Sequence, residues 1–367
     1  MGIKSIEIEN FKSIRNSGTI ELKDINVLIG ANGSGKSNFI EFFNFLKNIV
    51  NEKLRLYVSK NGIDNILYFG RKKSDYLFSK IIFDVFFTNK HYKYDYIFKL
   101  IPNNIGQLIF TEEYGNYYEG EEIVSYIIDT GRQIETSLRT GLQLFEPFVR
   151  NLDFLLSLNS FIIYHFNDTS FTSNIKTASS IVDNQTFLKE DGSDIASFLY
   201  SFSKNYIKNF EILESIIKSI APFFKRFHLV PDDLTGEILL QWVEKDTIFP
   251  VSSLSDGTLR FICLASILLC PMKPKTIILD EPELGLHPYA IEKLAAMIHI
   301  ASEHSQIIIS TQSIDLISQF SADDIIVVDR ENEQTIFKRQ SEKYLKSWLE
   351  DYSIGEIWNK NVIGGNP

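Results

Sequence analysis

Gly30-Ala31-Asn32-Gly33-Ser34-Gly35-Lys36-Ser37 stands between a short apolar run, Ile25 with Val27, Leu28 and Ile29, and a segment from Asn38 to Val50 with helical apolar spacing. A buried strand that turns through glycines into a helix is where a phosphate-binding loop has to lie, because the first helical turn points its N–H groups at the loop. Gly30, Gly33 and Gly35 let the backbone take positive φ and approach phosphate oxygens with no Cβ in the way. Lys36 is placed to reach β- and γ-oxygens and the Ser37 hydroxyl to meet Mg²⁺, with Asn32, Ser34 and Asn38 completing the lining. Chance yields GxxxxGK[ST] roughly once per hundred chains of this length, and the strand and helix context makes it rarer. The expectation is a nucleoside triphosphate site.

The 367 residues carry 44% hydrophobic and 23% charged side chains, an ordinary globular composition for one large domain with a sub-domain, or for two domains. A formal net charge of -10 argues against electrostatic coating of nucleic acid, which rests on Lys and Arg, while leaving room for a local basic groove. Cys263 and Cys270 share one apolar segment with no partner at metal-ligand spacing, so they read as small core residues in a reducing compartment. The chain starts on a strand-like Ile3 to Ile8 without the regions of a signal peptide, and no run approaches ~18 uninterrupted apolar residues. A cytoplasmic protein with no membrane span is expected. Met1-Gly2 opens a myristoylation pattern that Ile6 breaks.

Outward from the loop, residues 3–9, 18–22 and 25–29 predict strands leading into it, and residues 81–87, 94–100, 107–111 and 121–128 predict an antiparallel, β-rich flank. From about residue 137 to 220 the spacing is largely helical, first with Phe145, Phe148, Val149, Leu152, Leu155 and Leu156, later with Tyr206, Ile207, Phe210, Leu213, Ile216 and Ile217. No heptad pattern lasts several turns, so no long coiled-coil arm is expected. In the last third, 236–244, 276–280, 306–310 and 324–329 read as strands and 259–269 as an apolar helix, an alternation that predicts a parallel sheet. The organisation expected is an α/β head in two parts, residues 1–136 and 226–367, with a helical sub-domain inserted over 137–225.

Thr276-Ile277-Ile278-Leu279-Asp280-Glu281 is an apolar strand ending in two carboxylates. Asp280, at the strand end, is placed to hold Mg²⁺ together with Ser37, and Glu281, one residue further out, to polarise the attacking water as general base. Apolar strands followed by acidic turns are common; the phosphate loop in the same chain gives this one its meaning.

Leu254-Ser255-Asp256-Gly257-Thr258-Leu259-Arg260 precedes an apolar helix and, read alone, is a helix N-cap. Lying between the phosphate loop and the acidic strand, it resembles the LSGGQ signature of ABC-type ATPases; Ser255 and Gly257 match, whereas Asp256 and Thr258 depart from the commonest form. The resemblance implies that Ser255 and Gly257 contact the γ-phosphate bound by an opposite subunit, so that two ATP molecules are sandwiched between two heads. Arg260 is expected to brace its helix. Glu283-Leu284-Gly285-Leu286-His287-Pro288 resembles the D-loop of that interface, and a helix start with Pro288 accounts for it equally. Gln312 occupies the switch position where many relatives carry a His; an amide bonds phosphate or water without positive charge, so slow turnover is expected.

Asn10-Phe11-Lys12-Ser13-Ile14, the loop through Asn38, the signature and the acidic strand together resemble the RecF, SMC and OLD group of ABC ATPases. Tyr164 to Ser170, Asp191 to Asp194, and Leu349 to Trp358 with Gly364-Gly365 extend the resemblance over nearly the whole chain, to a compact bacterial family similar to stand-alone OLD ATPase modules. The implied fold is α/β, a P-loop ABC-type head with a β-rich flank and an inserted helical sub-domain. The implied ligands are ATP and Mg²⁺. The implied partners are a second copy through the ATP sandwich, higher oligomers built from it, and a separately encoded toprim-like nuclease gated in anti-phage defence or DNA maintenance. Lys12 and Ser13 can lie near the nucleotide in such proteins, and a surface strand end explains them as well. The residues after Asp329 hold no toprim-type acidic cluster, so cleavage is expected from a partner. Two further readings stay open: a scaffold clamped by ATP with negligible hydrolysis, and a RecF- or SMC-like clamp whose partner is DNA. A transporter subunit fits least, because the stretch between Lys36 and Ser255 is long.

Overall fold

The computed structural model describes residues 2–87, 90–119, 122–129, 133–136, 161–166, 173–181 and 185–365. The helical pattern over Phe145 to Leu156 lies outside them, as do Asn167 to Ser170. Two compact units form, Met1–Phe161 with Ser321–Pro367, and Ile162–Phe320. Strands and helices named below are numbered along the chain.

In the first unit, β1 (Gly2–Phe11) and β2 (Ile14–Glu21) make a hairpin. β1 also pairs antiparallel with β4 (Leu77–Phe87), followed by β5 (Lys90–Pro102), β6 (Leu108–Glu119) and β7 (Glu122–Asp129). The six strands join in the order β2-β1-β4-β5-β6-β7, the β-rich flank read from the sequence. β3 (Ile25–Ile29), buried along its whole length, pairs in parallel with β16 (Ile325–Glu331), Leu28 opposite Ile326, and β16 pairs antiparallel with β17 (Gln334–Arg339).

α1 (Lys36–Val50) follows the loop and carries Phe39, Phe42, Phe43 and Phe45, all without exposed surface. Their rings meet both sides of the unit: Phe42 and Phe45 each lie 5.4 Å from Phe11 of β1, Phe45 lies 6.5 Å from Phe98 of β5, and Phe39 lies 5.3 Å from Phe337 of β17. Offset and edge-on aromatic pairs of this kind add about 0.5–1.5 kcal/mol each beyond area burial. The helix that follows the glycine loop is thereby fixed at its base.

In the second unit, β14 (Thr276–Asp280) pairs in parallel with β15 (Gln306–Thr311), Asp280 opposite Ser310, and β8 (Phe161–Tyr164) lies beside β14. β8 stands inside the stretch expected to be largely helical; its run Phe161-Ile162-Ile163-Tyr164 is all aromatic and β-branched, which favours a strand. The single strand expected over 236–244 is two, β11 (Glu237–Ile238) paired with β9 (Ser179–Ser180), and β12 (Gln241–Glu244) between β10 (Arg226–His228) and β13 (Thr247–Pro250). The chain changes sheets at Leu239 and Leu240, where Leu240 O accepts from Val251 N at 3.0 Å.

The helices of this unit include α2 (Ile195–Asn205), α3 (Ile207–Ile220), α4 (Asp256–Leu269) and α5 (Pro288–Ser302). α4 is buried without interruption from Leu259 to Leu269, as a helix apolar on all sides must be. Cys263 and Cys270 are buried free thiols in this core; burial pushes Cys263 far up and Cys270 up to about 11, which leaves both unreactive. Among the described residues no helix is long and apolar enough to cross a membrane.

Candidate functional site

Lys36 and Ser37 stand where β3 turns into α1. Gly35 caps that helix in the left-handed region at φ 116°, no side chain caps it, and its first turn holds no acidic residue, so its positive end faces an anion without competition. Gly30 is demanded by space, since a Cβ there would stand 2.1 Å from Val328 O. The Lys36 ammonium is buried and folds over the loop, donating to Gly30 O at 2.6 Å and Ala31 O at 3.0 Å. Asn32, Gly33 and Ser37 are exposed, and Ser34 Oγ is buried with no hydrogen-bond partner among the described residues.

A hydroxyl chain braces this loop. Thr335 Oγ1 donates to Ser34 O at 2.8 Å and lies 2.7 Å from Ser13 Oγ, which accepts from Asn38 Nδ2 at 2.6 Å. A Cβ on Gly35 would meet Thr335 Oγ1 at 2.1 Å, so that glycine also serves a close side-chain approach. Ser13 thus holds the loop from behind. Lys12 sits in the hairpin turn at φ 49°, with its N–H on Ile66 O at 2.8 Å and its ammonium 5.9 Å from the Phe11 ring. Nothing in sequence reasoning singled out Thr335, which lies three hundred residues from its partners and belongs to no motif.

The second unit holds the acidic strand. Asp280 Oδ1 accepts from Ser310 Oγ, while Oδ2 faces His165 Nδ1 at 3.6 Å. Glu281 sits at φ 45°, a left-handed conformation that costs an L residue roughly 1–2 kcal/mol, and its N–H is held by Ser310 O at 3.0 Å. Such strain on a non-glycine residue marks functional turns. Gln312 Nε2 donates to Glu281 Oε1 at 3.0 Å, bringing together the expected base and the expected switch residue. Glu283, named from sequence only within the D-loop-like stretch, accepts from Thr311 Oγ1 and from Gln312 N at 3.4 Å, and burial raises its pKa. His165 was quoted from sequence without a role.

Ser255 caps α4 by accepting from Thr258 N at 3.2 Å, and its Oγ lies 2.8 Å from Thr258 Oγ1. A Cβ on Gly257 would stand 2.3 Å from Gly285 O, so the D-loop-like turn presses against the start of α4. Arg260 ties the two together: Nη1 donates to Leu284 O and Nε to Phe166 O at 2.8 Å, the bracing expected of it. His287 caps α5, its Nδ1 accepting from Tyr289 N at 3.3 Å. The starts of α4 and α5 border a cleft of 170 Å³ lined by Ser255, Gly257, Thr258, His287 and Tyr289 among others. Two helix N-termini and two hydroxyls make it suited to an anion.

The family described as "AAA domain, putative AbiEii toxin, Type IV TA system" matches residues 25–318, from β3 past the switch residue. The chain belongs to this AAA family. Energy-coupling factor transporter ATP-binding protein EcfA of Methanosphaera stadtmanae is 37% identical over 81 residues, 22% of this chain; the chain spans 28% of that relative's length. Among solved structures, the SmcHead bound to the C-winged helix domain of ScpA aligns at TM-score 0.60 and 16% identity, covering 94% of this chain and 99% of that one. The Smc head domain with an extended coiled coil bound to the C-terminal domain of ScpA, derived from Pyrococcus furiosus, aligns at TM-score 0.56 and 14% identity, covering 95% and 99%. The AAA protein is therefore an ATPase with the fold of an SMC head domain.

The side chains of this AAA ATPase fit its ligands. The orphaned Ser34 Oγ, the bare N-terminus of α1 and the buried Lys36 fit a polyphosphate. The exposed Ser37 hydroxyl at the start of α1 is a hard oxygen of the kind Mg²⁺ takes.

Proposed function

We propose that this ATPase closes as a head-to-head pair on ATP and reopens on hydrolysis. The observation that carries the reading is the phosphate loop, with Gly35 at φ 116° delivering an uncapped helix start beside a buried Lys36. In this reading Lys36 and the N–H groups of the loop hold the β- and γ-phosphate oxygens, with Asn32, Gly33 and Asn38 lining them. Ser37 and Asp280 hold Mg²⁺, which when bound offsets the charge that grows on the phosphoryl oxygens. Glu281 accepts the proton of the attacking water, oriented by the amide of Gln312. That amide adds no positive charge, so turnover is slow. Ser255 and Gly257 of one copy complete the γ-phosphate site of the other, using the cleft at the start of α4.

The biological role we propose is that of a cytoplasmic sensor or regulatory ATPase in anti-phage defence or DNA maintenance, controlling a separately encoded toprim-like nuclease. The toxin–antitoxin wording of the family description and the resemblance to OLD modules support it. An SMC-like DNA clamp is the second reading, favoured by a fold that covers 94% of the chain; duplex binding that requires ATP and weakens with salt would select it.

Mass by light scattering tests the central claim on wild type, Glu281→Gln and Lys36→Ala. ATP with Mg²⁺ is expected to convert Glu281→Gln to a stable dimer, and Lys36→Ala to ignore nucleotide. A mass indifferent to ATP in all three reduces Ser255 to a helix cap and overturns the sandwich.

A further inference from the structure

Within the first unit, Leu67-Tyr68-Phe69-Gly70-Arg71-Lys72-Lys73-Ser74 follows the short helix Ile63–Ile66 and leads toward β4. Its turn is stitched from several sides. Gly70 N–H donates to Leu67 O at 3.0 Å, Ser74 N–H to Gly70 O at 3.0 Å, and the buried Ser74 Oγ to Tyr68 O at 2.6 Å. Arg71 is committed to Asp64, whose carboxylate accepts from its N–H, Nε and Nη2 at 2.9, 3.0 and 2.8 Å. Tyr68 N–H donates to Asn10 O at 3.1 Å, which pins the turn to the hairpin turn that carries Lys12. What this rigid turn displays is Phe69, 48% exposed and at φ 51°. Glycine or asparagine takes a left-handed position at little cost; a phenylalanine there is strained, and its ring is not among those that fill the core. Strain kept at an exposed residue points to what that residue meets outside. The ring stands perpendicular to that of Tyr68, centroids 4.7 Å apart, with Lys73 Nζ 5.4 Å from its centre. Lys72 and Lys73 are exposed, in a chain whose formal net charge is -10.

We propose that this turn binds single-stranded nucleic acid, with one unpaired base stacked on Phe69 and the neighbouring phosphates held by Lys72, Lys73 and Lys12. An exposed aromatic ring beside cations grips an unpaired strand without reading its sequence, because every base has a π-face and every linkage a charge. Phe69 with Lys73 on its ring joins both parts in one turn. An acidic peptide would engage the lysines and give the strained ring no task, and a duplex keeps its base faces stacked inside. The site lies within one unit and needs neither a second copy nor ATP, so it stands apart from the ATP-dependent duplex clamp considered above.

Fluorescence anisotropy on the full chain without ATP tests this with a labelled oligothymidylate, an oligouridylate, a DNA duplex of the same length and a sugar-phosphate chain lacking bases. Oligothymidylate is expected to bind, log K falling by about 2 per tenfold rise in salt, since three phosphate contacts contribute about 0.7 each. The base-free chain is expected to bind about tenfold more weakly or worse. Phe69→Gly is expected to weaken oligothymidylate binding about 5- to 150-fold with the salt slope unchanged, while relief of strain raises the Tm; Phe69→Trp is expected to retain binding. Lys72→Ser with Lys73→Ser is expected to lower the slope by about 1.4. Oligouridylate bound as well as oligothymidylate extends the site to RNA, and binding of oligothymidylate alone confines it to DNA. Equal binding of the base-free chain, wild-type affinity in Phe69→Gly, or no binding of either oligonucleotide overturns the proposal. Duplex bound as tightly as the single strand overturns it too, and duplex binding seen only with ATP leaves the clamp reading standing in its place. The wild-type comparison with the base-free chain is decisive even for a variant that fails to fold.

Discussion

Glu281 and Glu283 flank Pro282 yet face opposite demands. Glu281, the proposed general base, is half-exposed, strained at φ 45° and hydrogen-bonded by Gln312. Glu281→Gln is expected to lower the turnover number by about 10²- to 10⁴-fold while ATP still binds, which single-turnover and nucleotide-binding measurements separate. The carboxylate of Glu283 is enclosed, and its Oε2 has no hydrogen-bond partner among the described residues. Burial raises its pKa above the ordinary glutamate range. As pH climbs through that ordinary range the unfolded chain loses this proton first, so stability falls until the folded carboxyl ionises as well; below the range both states are neutral and there is no penalty. Glu283→Gln is therefore expected to raise the Tm at neutral pH, with the gain vanishing in acid, as thermal unfolding at the two pH values will report. Asp280 and Glu281 were legible as strand-end carboxylates. The enclosure of Glu283 was not, because it depends on Thr311 at the end of the neighbouring strand and Gln312 just after it, and no local pattern announces which strands will be neighbours.

At the scale of elements, the glycine loop is held by contacts its motif does not contain. Thr335 Oγ1 on β17 donates to Ser34 O and lies 2.7 Å from Ser13 Oγ, so Thr335→Val leaves Ser34 O without this donor and Ser13 Oγ without this partner, and is expected to cost about 1–3 kcal/mol, measured by urea unfolding, with weaker ATP binding alongside. Gly257→Ala pushes a Cβ to 2.3 Å from Gly285 O and is expected to destabilise by about 1–3 kcal/mol through overpacking, and to impair ATP-dependent association more than ATP binding. β3, α1, α4, β14 and β15 were legible because each joins a strong apolar period to a glycine, acidic or capping boundary. β8 was missed because four residues are too few to outweigh a helical reading of their surroundings. The break between β11 and β12 was missed because apolar alternation continues across it while the hydrogen bonding changes sheets.

For the whole molecule, nucleotide acts as a stabiliser. ATP at a hundred times its dissociation constant is expected to add about 2.7 kcal/mol to folding and to raise the Tm, an effect absent in Lys36→Ala. Differential scanning fluorimetry with and without ATP checks this. The packing units divide at residues 161/162 and 320/321, where composition carries no signal, because the division is made by contacts between distant segments.

β3 pairs with β16, Gly35 touches Thr335, and the position of a Cβ on Gly365 lies 3.6 Å from Gly30 Cα and 2.7 Å from Val327 Cγ1. The strand that launches the phosphate loop leaves the ribosome well before its partners on β16 and β17. Until residue 325 and those beyond it have been synthesised, the loop strand lacks its pairing with β16 and the loop lacks its hydroxyl brace. Nascent chains therefore carry the motif long before they can grip a nucleotide, and a message truncated ahead of β16 yields a polypeptide without the activity its motif advertises.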